Sequence, residues 1–156
     1  MANQMYMTIH GTRQGKFYGK NVSSKHIGKI PIISFSSDTQ SPRDMNTGMA
    51  TGKRHGGGVK VLKIRDSSSP QLFRAMTTNE TLKSVVFEFF ETAPDGSEYL
   101  SETITLSDVL VGSVRDNLSG RSKGSEGGIS EEVVFSYTKI SAVGVPRAGF
   151  SDAWNE

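Results

Sequence analysis

Three features of the sequence predict a mainly β fold: a compact antiparallel β-barrel of two packed sheets, with one short α-helix and a long extended loop. Apolar and polar residues alternate in several separate runs, the period-two signal of half-buried strands. β-branched and aromatic residues fill those runs, as a pleated surface favours. One segment switches to helical spacing, and it opens on Ser69-Pro70. The 156 residues suit a single domain spanning 1–156, long enough to bury a core without staples.

The elements follow in order. Met5, Met7 and Ile9 alternate with Tyr6, Thr8 and His10. Ile30, Ile32, Ile33 and Phe35 mark a second run. Val59, Val61, Leu62 and Ile64 mark a third, whose apparent change of phase predicts a bulge. Leu72, Phe73, Ala75 and Met76 form the helical stripe. Ser69 reads as the N-cap and Pro70 as the first helical residue, where a missing N–H costs nothing. The helix should stop near Thr78-Asn79 and, being short, dock on the β core. Val85, Phe87 and Phe89 alternate with Val86, Glu88 and Phe90. Ala93-Pro94-Asp95-Gly96 supplies the turn that joins 82–91 to 98–106 as a hairpin, with Gly96 left-handed. Leu100, Ile104 and Leu106 share a face, Val109 and Val111 resume after a break, and Val133, Phe135 and Tyr137 form the last run. Long polar connections remain at about 11–29, 38–58 and 115–129; loops of that length are uncommon in compact domains and tend to serve function. Closing the sheet would remove its exposed edges.

Composition narrows the function classes. The 18 basic and 16 acidic residues nearly balance, which argues against a nucleic-acid binder and against attraction to anionic membranes. No stretch approaches a membrane span, so no membrane insertion is expected. The first ten residues lack a basic region and a continuous apolar region, so any export is expected to proceed without a signal peptide. With no cysteine, disulfides, thiolate metal sites and cysteine nucleophiles are excluded. Only 35% of residues are hydrophobic, a lean composition that suits long loops or a subunit completed by neighbours.

The chemical motifs lead to no catalytic, cofactor-binding or metal residue. Gly48-Met-Ala-Thr-Gly52-Lys53-Arg54 resembles a phosphate loop but has one residue too few between its glycines and Arg54 where Ser or Thr is needed. His10, His26 and His55 are far apart in sequence and read as unrelated surface or loop histidines. Serines abound without a nucleophile elbow. Glu131 and Glu132 should point to opposite faces of a strand and read as a solvated strand end or an intersubunit salt bridge, as do Glu91, Glu98 and Glu102 around the hairpin.

Several segments, in order along nearly the whole chain, resemble the Hcp (haemolysin-coregulated protein) family of type VI secretion. Met5-Tyr-Met-Thr-Ile-His-Gly11 resembles its first strand. Lys63-Ile-Arg-Asp66-Ser-Ser-Ser69-Pro70-Gln-Leu72-Phe-Arg-Ala75-Met76 resembles the segment that leads into its single helix, and Glu131-Glu132-Val133-Val-Phe135-Ser-Tyr137-Thr-Lys-Ile140 its late core strand. Leu106, Val109 and Val114 fit the strand before, and Asp152-Ala-Trp154 a C-terminal signature. His55-Gly-Gly-Gly58 departs from the His-x-Pro turn of many relatives. The resemblance implies a structural, non-enzymatic subunit made in the bacterial cytoplasm. It forms hexameric rings that stack into the inner tube of a contractile injector, which is secreted and carries or stabilises effectors in its lumen. Its partners would be other copies of itself, those effectors, and the sheath and spike of the apparatus. Arg43, Asp44, Lys53, Arg54 and His55, on the 38–58 loop, are the residues expected at the ring or stacking interface. A phage-type tail-tube protein is the alternative, and a monomeric ligand-binding β-barrel a more distant one.

Overall fold

A computed structural model describes residues 4–19, 26–40, 55–117, 129–144 and 149–153. Its elements are β1 (Gln4–Gly11), β2 (Gly15–Lys16), β3 (Ile30–Ile32), β4 (Ser34–Gln40), β5 (His55–Ile64), α1 (Ser68–Thr77), β6 (Leu82–Thr92), β7 (Glu98–Asn117), β8 (Ser130–Gly144) and β9 (Gly149–Ala153). The mostly antiparallel β fold with one helix is as expected. The sheet is not closed: among the described residues its nine strands follow the path β2-β1-β6-β7-β8-β5-β4, with β3 paired to β1 and β9 to β8 off that path. The physical reason lies in the segment from Ile30 to Gln40. Its first three residues pair with β1 and the rest with β5, so it passes from one part of the sheet to another without forming a continuous ladder with both. Ile33, between the two halves, donates its N–H to the Leu62 carbonyl.

The sheet curls around one apolar interior. Met7 and Ile9 of β1, Val85 and Phe87 of β6, Leu106 and Val109 of β7, Val133 and Phe135 of β8, and Val59 and Val61 of β5 are all buried there. Each such side chain contributes about 1.5–3 kcal/mol by leaving water. Phe35 reaches across from β4 to stack edge-on with Phe87 at 4.8 Å and Phe89 at 5.3 Å.

The break expected before Val109 is real. Asp108 adopts φ 51°, and the inward set changes there from Ile104 and Leu106 to Val109 and Val111. The strand continues through it, so β7 runs to Asn117, beyond the expected 106. β5 carries its register shift earlier than expected, where the step from Gly56 to Val59 faces only Thr39 to Ser37 of β4, and there is none at the apparent phase change. Val59 to Ile64 pair in unbroken register with Phe135 to Ser130. The inward residue after Val61 is Lys63, while Leu62 and Ile64 face outward. An interior charge, not a bulge, produced the apparent phase change.

The helix begins at Ser68, earlier than expected, and Ser67 rather than Ser69 occupies the cap position, without a side-chain cap bond. Pro70 is then third in the helix, still among the residues whose N–H has no helical partner. Asp66 supplies the cap instead: its Oδ1 accepts the Ser68 N–H at 2.9 Å and the Ser68 hydroxyl. The far end stops as expected. Asn79 turns left-handed at φ 53°, and the N–H groups of Glu80 and Asn79 return to the carbonyls of Ala75 and Met76, the Schellman pattern with Asn in place of Gly. Leu72 and Ala75 face the core. The hairpin is also as expected: β6 and β7 pair from Thr92↔Glu98 inward, Gly96 has φ 89°, and its N–H donates to Ala93 at 2.8 Å.

Candidate functional site

The interior charge on β5 is the centre of a buried ion cluster. Strand alternation turns Lys63 inward, and the ladder places Glu131 of β8 directly opposite. Both are essentially inaccessible to solvent. Lys63 Nζ lies 2.9 Å from Glu131 Oε1 and 3.1 Å from Asp66 Oδ1, and donates to Ser69 Oγ at 3.1 Å and the Ile64 carbonyl at 3.2 Å. Ser69 in turn donates to Glu131 Oε1 at 3.0 Å and accepts the Asp66 N–H at 3.0 Å. A buried ammonium has three protons to place, and here every candidate partner is an oxygen within reach. The cluster ties β5, β8 and the helix start into one unit. Glu131 is therefore neither a solvated strand end nor an intersubunit bridge. Glu132 does point to the opposite face, where it comes within 3.9 Å of Lys60.

A second clamp holds the other end of the helix. Glu80 is buried, and its Oε2 accepts the backbone N–H groups of Arg13 and Gln14, each at 2.9 Å. Its Oε1 accepts the Gln14 side-chain amide at 3.0 Å, which also donates to the Gln71 carbonyl at 3.0 Å. Burial alone would push the Glu80 carboxyl up, but the Gln14 and Arg13 N–H groups and the Gln14 amide more than offset it and hold it below the usual carboxylate range. Gly11 is required beside it: a Cβ there would sit 2.2 Å from Glu80 Oε2. Tyr18 completes the attachment, its N–H donating to Gln71 Oε1 at 3.0 Å. The expected loop at 11–29 is thus partly built, with Phe17 fully buried.

His26 corrects another expectation. It is buried rather than a surface residue, stacked on Tyr6 at 4.2 Å and packed against Phe90 at 4.7 Å. Its Nε2 lies 2.8 Å from Glu98 Oε1, so Glu98 has a partner within the chain. Burial, and then the Glu98 charge, raise the Tyr6 hydroxyl above its ordinary value. His10 is exposed. The described residues contain no group of three or more His, Cys, Asp or Glu placed to hold a metal.

Of the expected interface residues, Arg43, Asp44, Lys53 and Arg54 lie outside the described residues. His55 begins β5, where its backbone pairs with Gln40. The β4–β5 ladder therefore extends into the expected 38–58 loop from both sides. At the end of the sheet where β6 turns into β7, a cleft of about 320 Å³ is lined by Met5, Phe35, Phe89 and Ile104, with Glu91 and Glu102 among its polar neighbours. The sequence had shown neither this cleft nor the ion cluster as a site. The signal for the cluster was present: Val59, Val61 and Lys63 share parity, as do Glu131, Val133 and Phe135.

Fold and clamps together define a curled antiparallel β-sheet protein whose buried charges fasten helix α1 to the sheet. Within that class the chain belongs to the Hcp family: residues 6–143 match the family described as type VI secretion system effector, Hcp. A relative from Pseudomonas aeruginosa, named major exported protein, is 28% identical over 152 residues, covering 90% of this chain and 88% of its own length. Among solved structures, the Hcp1 protein from an E. coli EAEC 042 pathovar superposes with a TM-score of 0.85 at 28% identity, covering 98% of this chain and 99% of its own. A crystal structure of an Hcp protein reaches a TM-score of 0.91 at 23% identity, covering 99% of each chain, and so shares the fold.

Proposed function

We propose that this chain is a structural subunit of the type VI secretion inner tube, acting through assembly rather than catalysis. Copies close into a hexameric ring, rings stack, and the tube is secreted with effectors carried or stabilised in its lumen. The observation that carries this reading is the family match over residues 6–143. The arrangement of the buried charges supports it: the cluster around Lys63 and the clamp at Glu80 fasten the chain's own elements. A closed ring needs two different patches on each copy that meet around a rotation. Many contacts, each modest, then give a tube that forms on cue and comes apart after delivery.

The 38–58 connection, with Arg43, Asp44, Lys53, Arg54 and His55, is proposed as the arm that reaches a neighbouring copy or ring. Deleting residues 43–55 should abolish stacking and leave the barrel folded; normal polymerisation of that variant would remove the arm from the proposal. The reading as a whole is tested by light scattering after size exclusion across a range of concentrations. A six-fold mass, with annular particles by electron microscopy, is the expected result; a monomer at every concentration would overturn it.

A further inference from the structure

We infer that two copies meet by seating the outer face of α1 from one copy in the open cleft of the next. This rests on the assembling role proposed above and names two surfaces that would meet. Pro70, Phe73, Arg74 and Thr77 follow the i, i+3, i+4, i+7 spacing and are all exposed. Phe73 is 57% exposed although Leu72 and Ala75 on the same helix are buried. Arg74 beside it has no ion-pair partner among the described residues. The helix thus presents an aromatic ring and a guanidinium side by side.

The cleft offers the complement. Met5, Phe35, Phe89 and Ile104 make an apolar floor, and Glu91 and Glu102 stand beside it. Neither carboxylate is paired with a cation among the described residues, and Glu102 is exposed. Its roughly 320 Å³ is at the small end of the range for binding clefts, a size suited to one aromatic side chain rather than a large ligand. A ring edge against Met and Phe side chains is favourable packing, and a guanidinium next to two carboxylates gains charge-assisted hydrogen bonds.

The two surfaces lie at opposite ends of the fold. Strand β6 leaves the helix at Leu82 and reaches the cleft near Glu91, about ten residues along. At roughly 3.3 Å per residue that is on the order of 30 Å. A helix face and a cleft so far apart cannot meet within one copy. Between copies they form a heterologous contact, which propagates from copy to copy.

The test uses charge exchange in the full-length protein. Arg74→Glu, and separately the double variant Glu91→Lys with Glu102→Lys, should each weaken self-association by roughly tenfold or more, as loss of a central anchor does. Phe73→Ser should do the same. An equimolar mixture of the two charge variants should recover assembly, because each then finds a complementary neighbour. Circular dichroism melts matching the parent show that the variants remain folded. Unchanged assembly of the charge variants, or a mixture no better than its components, overturns the contact while a six-fold parent mass keeps the tube reading. A parent that stays monomeric at every concentration overturns both.

Discussion

Lys63 shows how one side chain can decide the behaviour of three elements. Desolvating a charge is expensive, and the cost is met here only because Glu131, Asp66 and Ser69 converge on it. Lys63→Met should destabilise the protein by about 3–5 kcal/mol, since it leaves Glu131 buried without its cation. Adding Glu131→Leu should recover most of that loss, and urea unfolding of the single and double variants measures it. Glu80 is the counterpart at the other end of the helix. Its pKa is lower folded than unfolded, so its stabilisation is complete above the unfolded value of about 4.3 and is lost as pH falls through the folded value. Glu80→Gln should therefore cost about 1.5–3 kcal/mol at neutral pH. The gap between variant and parent should narrow below about pH 4 in an acid series of denaturant melts. Gly11→Ala should also destabilise, by about 1–3 kcal/mol, because Glu80 is pinned by three hydrogen bonds and cannot move aside freely.

At the scale of elements, the strands were legible because burial on one face imposes period two, and Met7, Phe87 and Phe135 all lie where that period places them. The hairpin turn and the helix stop were legible because Gly96 and Asn79 answer to local backbone chemistry. The helix start was less so: Asp66 caps through tertiary geometry shared with Lys63, which a linear reading of Ser69-Pro70 does not contain. A buried His26 was hidden for the same reason, since its partners Tyr6, Phe90 and Glu98 come from distant strands. The full length of β7 was not legible from the alternation, which breaks between Leu106 and Val109, because the left-handed Asp108 is absorbed within the strand. The left-handed turn at Asn79 supplies its own test. Asn79→Val should cost about 1–2 kcal/mol and Asn79→Gly should cost nothing or stabilise, read from thermal midpoints.

At the scale of the molecule, the resemblance carried further than the residues did. Alternation and turn chemistry yield a β fold with long connections, but a ring or a tube is a property of surfaces between copies, and no periodicity within one chain encodes it. The open path of the sheet belongs to this scale too. The segment from Ile30 to Gln40 serves β1 with one half and β5 with the other, an economy visible only once both partners are in place. Light scattering of the intact protein, followed by the charge exchange between helix and cleft, addresses the assembly directly.

The pairing of β1 also sets a clock. Met7 of β1 lies opposite Phe87 of β6, far along the chain, and β6 in turn waits for β7 and β8. Little of the interior can form until most of the chain has been made. Non-local topologies of this kind refold in milliseconds to seconds rather than microseconds, and stopped-flow fluorescence should find this chain in that slow range. During the delay the strand edges of the nascent chain are uncovered, and that is when it is most exposed to aggregation.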